Sequence, residues 1–223
     1  MPRTIGLYGG FFNPFHKGHL HVIQTALHSL SLEELVVLPT FRNPLKNNSH
    51  TESIEQQISN IQSEIDLPNV KISDFEHSHQ ITSTQELLRK IQNKYPLNSC
   101  YLIIGLDQLG KLHLWKEYQW IIQNISICVI YRPRYDDYIE NSQVQKENPE
   151  LFMPNLDKFI NNSMPCIHII ENKANSTPHK LSTFPSAASS VRHSSTRKTH
   201  PGHCLPQQTG TATLAPYEPA TMS

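Results

Sequence analysis

A chain of 223 residues fits one domain large enough to bury a core without metal or disulfide support. Lys plus Arg and Asp plus Glu both number 19, so no overall basic field points to nucleic acid and any anion binding has to be local. No apolar stretch approaches bilayer length and the Met1-Pro2-Arg3-Thr4 start carries no signal-peptide pattern, which excludes a membrane span and points to a cytoplasmic protein.

Cys100, Cys128, Cys166 and Cys204 are scattered without a Cys-x-x-Cys pair, which argues against a zinc site or disulfide framework. Cys100 and Cys128 are expected as small buried apolar residues. The thirteen histidines are dispersed and form no metal-ligand cluster, although His77 and His79 would share one face of an extended segment.

Ile5, Leu7 and Tyr8 form a short apolar run that ends in Gly9-Gly10, and Leu20, Ile23, Leu27 and Leu30 then recur at helical spacing. This reads as strand, glycine turn, helix. Such a turn suits a nucleotide, because paired glycines let the backbone approach closely and the helix start offers unpaired N–H groups and a positive dipole end to phosphate. His16 and His19, with Gly18 between them, fall where loop becomes helix and are able to donate hydrogen bonds as charge builds on phosphoryl oxygens. Alone, a His-x-Gly-His reads more readily as a tight turn followed by two surface histidines.

The whole string decides between the two. Gly9-Gly10-Phe11-Phe12-Asn13-Pro14-Phe15-His16-Lys17-Gly18-His19, directly after an apolar strand, resembles the ATP-binding signature of the nucleotidylyltransferase superfamily. Within it the string is similar to that of the nicotinate-mononucleotide adenylyltransferases, whereas phosphopantetheine adenylyltransferases and cytidylyltransferases usually carry Gly-Thr-Phe-Asp at this point. The resemblance implies ATP contacts from Gly9, Gly10, Phe11, Phe12, Asn13, His16, Gly18 and His19, with His16 and His19 catalytic.

Leu35-Val36-Val37-Leu38 reads as a buried parallel strand that Pro39 ends. The loop from Thr40 to Lys46 follows at its carboxyl end, where open α/β sheets place their ligands, so Lys46 is a candidate phosphate contact. Asn43-Pro44-Leu45-Lys46 resembles the family's Pro-Pro-His-Lys loop with Leu45 in place of histidine, and the resemblance makes Lys46 both catalytic and an acceptor contact. A solvated loop lysine is the other reading.

A helical stripe of Ile54, Ile58, Ile61 and Ile65 predicts a helix from Ser53 to Ile65, and Val70 to Asp74 alternates as a strand does. Thr82 or Thr84 would cap a helix running to about Lys94. Ile81 to Leu88 also resembles the family's Ser-x-Thr-x-x-Thr-Leu segment beside the nicotinate pocket, with Leu87 replacing its last threonine. On that resemblance Thr82 and Thr84 face the acceptor.

Cys100 to Gly105 is the clearest central strand, leading to Asp107 and then to a loop and helix with Trp115 and Trp120. Ile104-Gly105-Leu106-Asp107 followed by Trp115 resembles the family's second signature. Gly105 would let the strand end lie against adenosine, Asp107 would accept hydrogen bonds from ribose or base, and Trp115 would offer its face to a pyridine ring. Trp120 is expected in the core. Ser126 to Tyr131 is another buried strand, after which Arg132-Pro133-Arg134-Tyr135 resembles the family's Arg-Pro-Gly-Tyr with Arg134 at the glycine position. Residues 136–166 read as polar and irregular apart from Leu151-Phe152-Met153 and Phe159-Ile160, and Cys166 to Ile170 reads as the last strand.

After Ile170 the character changes. The first 170 residues hold 21 isoleucines and the remaining 53 hold none, while those 53 contain 16 Ser or Thr, six Pro and only two acids. Such a composition predicts disorder from about Glu171. Ser194-Ser195-Thr196-Arg197 has a likeness to the family's Ile-Ser-Ser-Thr-x-Ile-Arg, but it lies late, spaces its arginine differently and is followed by no helical pattern. A frame shift near residue 171, or another replacement of this end, accounts for the break.

The expected architecture is therefore a Rossmann-like, doubly wound, mostly parallel α/β sheet with its cleft at the carboxyl ends of the first and fourth strands. Residues 1–170 would form the nucleotidylyltransferase domain and 171–223 the tail. The resemblance implies transfer of the adenylyl group of ATP to nicotinate mononucleotide, with a nucleotide-bound Mg²⁺ ion as cofactor and no resident metal. Three alternatives stay open: an adenylyltransferase for nicotinamide mononucleotide or phosphopantetheine, a catalytically impaired nucleotide-binding remnant, and, least favoured because Gly-x-Gly-x-x-Gly is absent from the first turn, a Rossmann oxidoreductase. Neither nucleic acid nor membrane is expected as a partner, and assembly into a homo-oligomer is left open.

Overall fold

Six of the apolar runs become strands of a single sheet: β1 (Ile5–Gly10), β2 (Glu34–Pro39), β3 (Val70–Ile72), β4 (Cys100–Gly105), β5 (Ser126–Ile130) and β6 (Ile167–Ile170). Every pairing is parallel, and the order across the sheet is β3-β2-β1-β4-β5-β6. The computed structural model describes residues 4–40, 53–131 and 142–171, all within the unit Met1–Ser182. Lys46, Arg132 to Tyr135 and the segment after Glu171 lie outside the described residues.

The strands are continuous apolar runs because both faces of the sheet are covered. All of β4 and β5 is buried, whereas Lys71 on the edge strand β3 is exposed. Along one face runs α1 (Lys17–Leu30), which buries Val22, Ile23, Ala26 and Leu30 and ends at Ser31 with φ 49°. Its apolar stripe recurs every three or four residues, so one face meets the sheet and His28 stays outside. Phe12, Ile23, Tyr101, Ile103 and Phe159 share the core on that side, with the Tyr101 and Phe159 rings stacked at 5.1 Å. Each such side chain contributes about 1.5–3 kcal/mol by leaving water.

The remaining helices among the described residues are α2 (Ile54–Glu64), α3 (Phe75–Ser78), α4 (Thr84–Ile91), α5 (Leu106–Leu109), α6 (Tyr118–Asn124), α7 (Gln143–Glu147) and α8 (Leu156–Asn161). Single 3₁₀ turns stand at Leu97–Ser99, Leu112–Leu114 and Pro149–Leu151. No helix among the described residues is long and apolar enough to cross a membrane. Cys100, Cys128 and Cys166 are buried and form no disulfide with one another, and burial in an apolar strand pushes the Cys128 thiol up.

Five elements depart from the sequence reading. The strand predicted to reach Asp74 stops at Ile72, because Asp74 opens α3 and the Ser73 hydroxyl accepts the Phe75 N–H at 3.3 Å. His77 and His79 therefore belong to α3 and its cap, not to an extended segment, and the His79 ring lies on Phe75 at 4.0 Å. The helix expected to run to Lys94 ends at Ile91, since Pro96 disfavours helical backbone at Tyr95 and the chain closes in turns onto the Ile91 carbonyl. Within 142–166, expected to be irregular, Ser142 and Asn155 each cap a helix of five or six residues, too short to show a period in sequence.

Candidate active site

The sheet divides at its carboxyl end. β1 and β4 are registered only over Ile5↔Cys100, Gly6↔Tyr101 and Leu7↔Leu102. Beyond that, Tyr8 to Gly10 stays with β2, and Ile103 to Gly105 stays with β5. A crevice thus opens between the glycine corner and Gly105, at the point where strand order reverses and open α/β sheets receive ligands.

The corner is tightly fitted. A side chain at Gly10 would bring its Cβ to 3.1 Å from the Phe12 ring, and one at Gly9 to 3.3 Å from Glu76 Oε1. Phe12 itself is 1% exposed and wedges between β1 and α1, with Tyr8 edge-on at 5.2 Å and His19 edge-on at 5.0 Å. Its side chain belongs to the core. Phe11 and Asn13 are half-buried on the way to the helix.

His16 caps α1. Its Nδ1 accepts the Gly18 N–H at 3.1 Å, while His19 Nδ1 accepts the His16 N–H at 3.3 Å. This is a reciprocal capping box in which two imidazoles take the places usually held by a hydroxyl and a carboxylate. A nitrogen that accepts a hydrogen bond carries no proton, so in both rings the neutral imidazole holds its proton on Nε2. The rings stack at 3.7 Å with 18° between their planes, and Phe15 lies 5.4 Å from His19. No acidic residue occupies the first turn, which leaves the positive end of the helix without a competing carboxylate.

Across the crevice, Gly105 is buried at the end of β4 and precedes α5. Asp107 is half-buried in the first turn of α5, where Oδ2 accepts the Gln108 amide at 2.6 Å. Trp115 follows the 3₁₀ turn Leu112–Leu114 and is half-buried, with an exposed neighbour in Leu114. Trp120 is not a core residue: it is half-buried on α6, and the Arg89 guanidinium lies 4.5 Å above its ring while also pairing with Glu117 at 3.0 Å.

At α4 the cap is Ser83 instead of Thr82 or Thr84. Its hydroxyl accepts the Glu86 N–H at 3.3 Å, and Glu86 returns a carboxylate to the Thr82 N–H at 3.3 Å. Hydrogen bonding at this helix start holds the Glu86 carboxyl below the usual range. Thr82 is exposed and Thr84 half-buried, flanking that box.

One group near the corner carries no mark in the sequence. Glu76 of α3 is 8% exposed, and burial pushes its carboxyl up to about 7, partly offset by the hydrogen bond from Thr40. Its place after a strand at the carboxyl edge of the sheet was the only available signal. Among the described residues no group of three or more His, Cys, Asp or Glu is arranged to hold a metal ion.

Taken together, two imidazoles cap the start of α1 beyond the end of β1, and Asp107 and Trp115 follow the end of β4. The family model described as cytidylyltransferase-like matches residues 7–197, which runs past Ile170 to Arg197. The chain belongs to the cytidylyltransferase-like family. A probable nicotinate-nucleotide adenylyltransferase of Agrobacterium fabrum is 37% identical over 130 residues, covering 58% of this chain and 70% of that protein. One from Caulobacter sp. strain K31 is 33% identical over 129 residues, with 58% and 68% covered.

The structure of a Plasmodium falciparum nicotinic acid mononucleotide adenylyltransferase complexed with NaAD superposes with a TM-score of 0.57 at 18% identity, over 78% of this chain and 77% of that one. At that identity the likeness concerns the fold. The six-stranded parallel sheet with its helices agrees with the fold class read from the sequence.

Proposed function

We propose that the chain transfers the adenylyl group of ATP to nicotinate mononucleotide, giving deamido-NAD and pyrophosphate as a step of NAD biosynthesis. The observation that carries this reading is the histidine-capped start of α1 at the mouth of the β1/β4 crevice. The choice of acceptor is supported by the Gly9 to His19 string and by the adenylyltransferase relatives.

The 5′-phosphate oxygen of nicotinate mononucleotide bonds to the α-phosphorus of ATP, and the bond from that phosphorus to the bridging oxygen breaks as pyrophosphate leaves. The attacking oxygen is already an anion, so no general base is required; rate comes from alignment and from neutralising charge. His16 and His19 donate Nε2–H to phosphoryl oxygens, and the amides at the start of α1 supply further donors. Gly9, Gly10, Phe11, Phe12, Asn13 and Gly18 shape this cradle through their backbone. Gly105 and Asp107 receive the adenosine, Lys46 neutralises phosphate, and Trp115 stacks on the pyridine ring. Thr82 and Thr84 stand beside the acceptor carboxylate. Mg²⁺ travels with the triphosphate, which supplies its ligands; when bound, it withdraws charge from the phosphate oxygens.

The reading is tested by pyrophosphate release with ATP and each of nicotinate mononucleotide, nicotinamide mononucleotide and phosphopantetheine. It expects the highest kcat/KM with nicotinate mononucleotide and is contradicted if another acceptor is preferred. The isoleucine-free composition after Ile170 favours a second reading, a nucleotide-binding remnant. That reading expects ATP to bind with no pyrophosphate released.

A further inference from the structure

Glu76 is the one buried carboxyl among the described residues, and no cation pairs with it there. Burying an ionisable group without a partner is costly, and an apolar side chain would fill the same space at lower cost. Its position is specific, however. Oε2 accepts the Thr40 hydroxyl at 2.9 Å, and Oε1 faces Gly9, 3.3 Å from where a Cβ would stand. Thr40 in turn donates its N–H to the Gly10 carbonyl at 2.9 Å. The carboxyl therefore ties the ends of β1 and β2 to α3, directly at the glycine corner.

We propose that Glu76 is a positioning residue for the nucleotide phosphates, holding the Gly9-Gly10 corner and Thr40 in the geometry that receives ATP. The proposal rests on the reading of that corner as the triphosphate site. In its neutral form Glu76 supports the corner without placing charge beside a polyanion; once ionised it sets a negative charge against the phosphates. From β1 and β2 the groups against it, Gly9 and Thr40, bring no charge. On α3 and its cap the ionisable neighbours Asp74 and His77 are exposed, and His77 faces Glu55 of α2, which is also exposed. The Glu76→Gln variant keeps every other ionisable group of the corner, so the difference between the two pH profiles isolates Glu76.

The test is the ATP dissociation constant of the full chain, measured by calorimetry from pH 6 to 8.5 for the parent, Glu76→Gln, Glu76→Ala and Thr40→Val. As pH rises, the parent is expected to lose about tenfold more affinity than Glu76→Gln, corresponding to about one pKa unit of coupling. At pH 6, Glu76→Ala and Thr40→Val weaken ATP binding by about tenfold, Glu76→Gln restores it to within about twofold, and nicotinate mononucleotide affinity is unchanged throughout. A parent and Glu76→Gln with the same pH profile overturn the proposal. Should Glu76→Ala fail to fold, Thr40→Val and the Gln profile decide. A parent chain that binds no ATP removes the functional reading and this proposal together; a parent that binds and turns over ATP while the variants match it removes this proposal alone.

Discussion

His16 and His19 stack with their centroids 3.7 Å apart, each accepting a backbone N–H of the α1 start through Nδ1. The stack ties the tautomer of both rings to the formation of the helix. Labelling histidine with ¹⁵N is expected to show an unprotonated, hydrogen-bonded Nδ1 and a protonated Nε2 for both residues near neutral pH, with the Nε2 resonances moving when ATP is added. Finding the proton on Nδ1 in either ring would contradict the cap geometry.

The glycines before the turn separate stability from binding. A Cβ on Gly6 would stand 2.7 Å from both Ile103 Cδ1 and Leu32 Cδ1, deep under the sheet. Gly6→Ala is expected to cost about 1–3 kcal/mol in urea unfolding while leaving the ATP KM of the folded enzyme near that of the parent. Gly9→Ala meets Glu76 Oε1 at 3.3 Å and, on the proposed function, is expected to raise the ATP KM with a smaller stability loss. The reverse pattern would place the binding corner elsewhere.

Glu76 makes stability depend on pH. Its carboxyl is raised from the ordinary 4.5 to about 7, so the folded chain holds the proton more tightly than the unfolded one. The stabilisation is fully present below pH 4.5 and is lost as pH rises through 7, amounting to about 3 kcal/mol by linkage. Urea unfolding at pH 5 and pH 8 is expected to show a larger drop for the parent than for Glu76→Gln. Equal drops would show that Glu76 titrates at its ordinary value.

The α4 box distinguishes capping from acceptor contact. Ser83→Ala removes the hydroxyl that accepts the Glu86 N–H and is expected to cost about 1 kcal/mol of stability. Thr82→Ala and Thr84→Ala leave that bond intact, so each is expected to raise the nicotinate mononucleotide KM with little change in unfolding. Trp115→Ala is expected to raise the same KM by about tenfold through lost stacking, with the ATP KM near that of the parent. Kinetics with one substrate varied at a time read each effect.

The sheet was legible because its strands are continuous apolar runs punctuated by glycine or proline: Cys100–Gly105 matches its expected limits, and β5 and β6 each differ by one residue at an end. The start of α1 was legible for a related reason, since Gly9-Gly10 stops the strand and the stripe from Leu20 to Leu30 sets the helix. What escaped was local. Four residues of α3 give no period, so neither that helix nor the burial of Glu76 was visible. Ser83 and the two threonines beside it have equal capping chemistry, and only the backbone at Ser83, φ −146° and ψ 150°, selects among them. Trp120 was expected in the core, as a Trp in a helix more often is, but its face is covered by a guanidinium.

Adenylyl transfer by the parent chain and by His19→Ala, followed as pyrophosphate release from ATP and nicotinate mononucleotide, is the most direct test of the phosphate cradle. Loss of a donor aimed at developing charge predicts a fall in kcat of about 10²–10³ in a chain that still unfolds cooperatively. Turnover by His19→Ala equal to that of the parent would contradict the cradle.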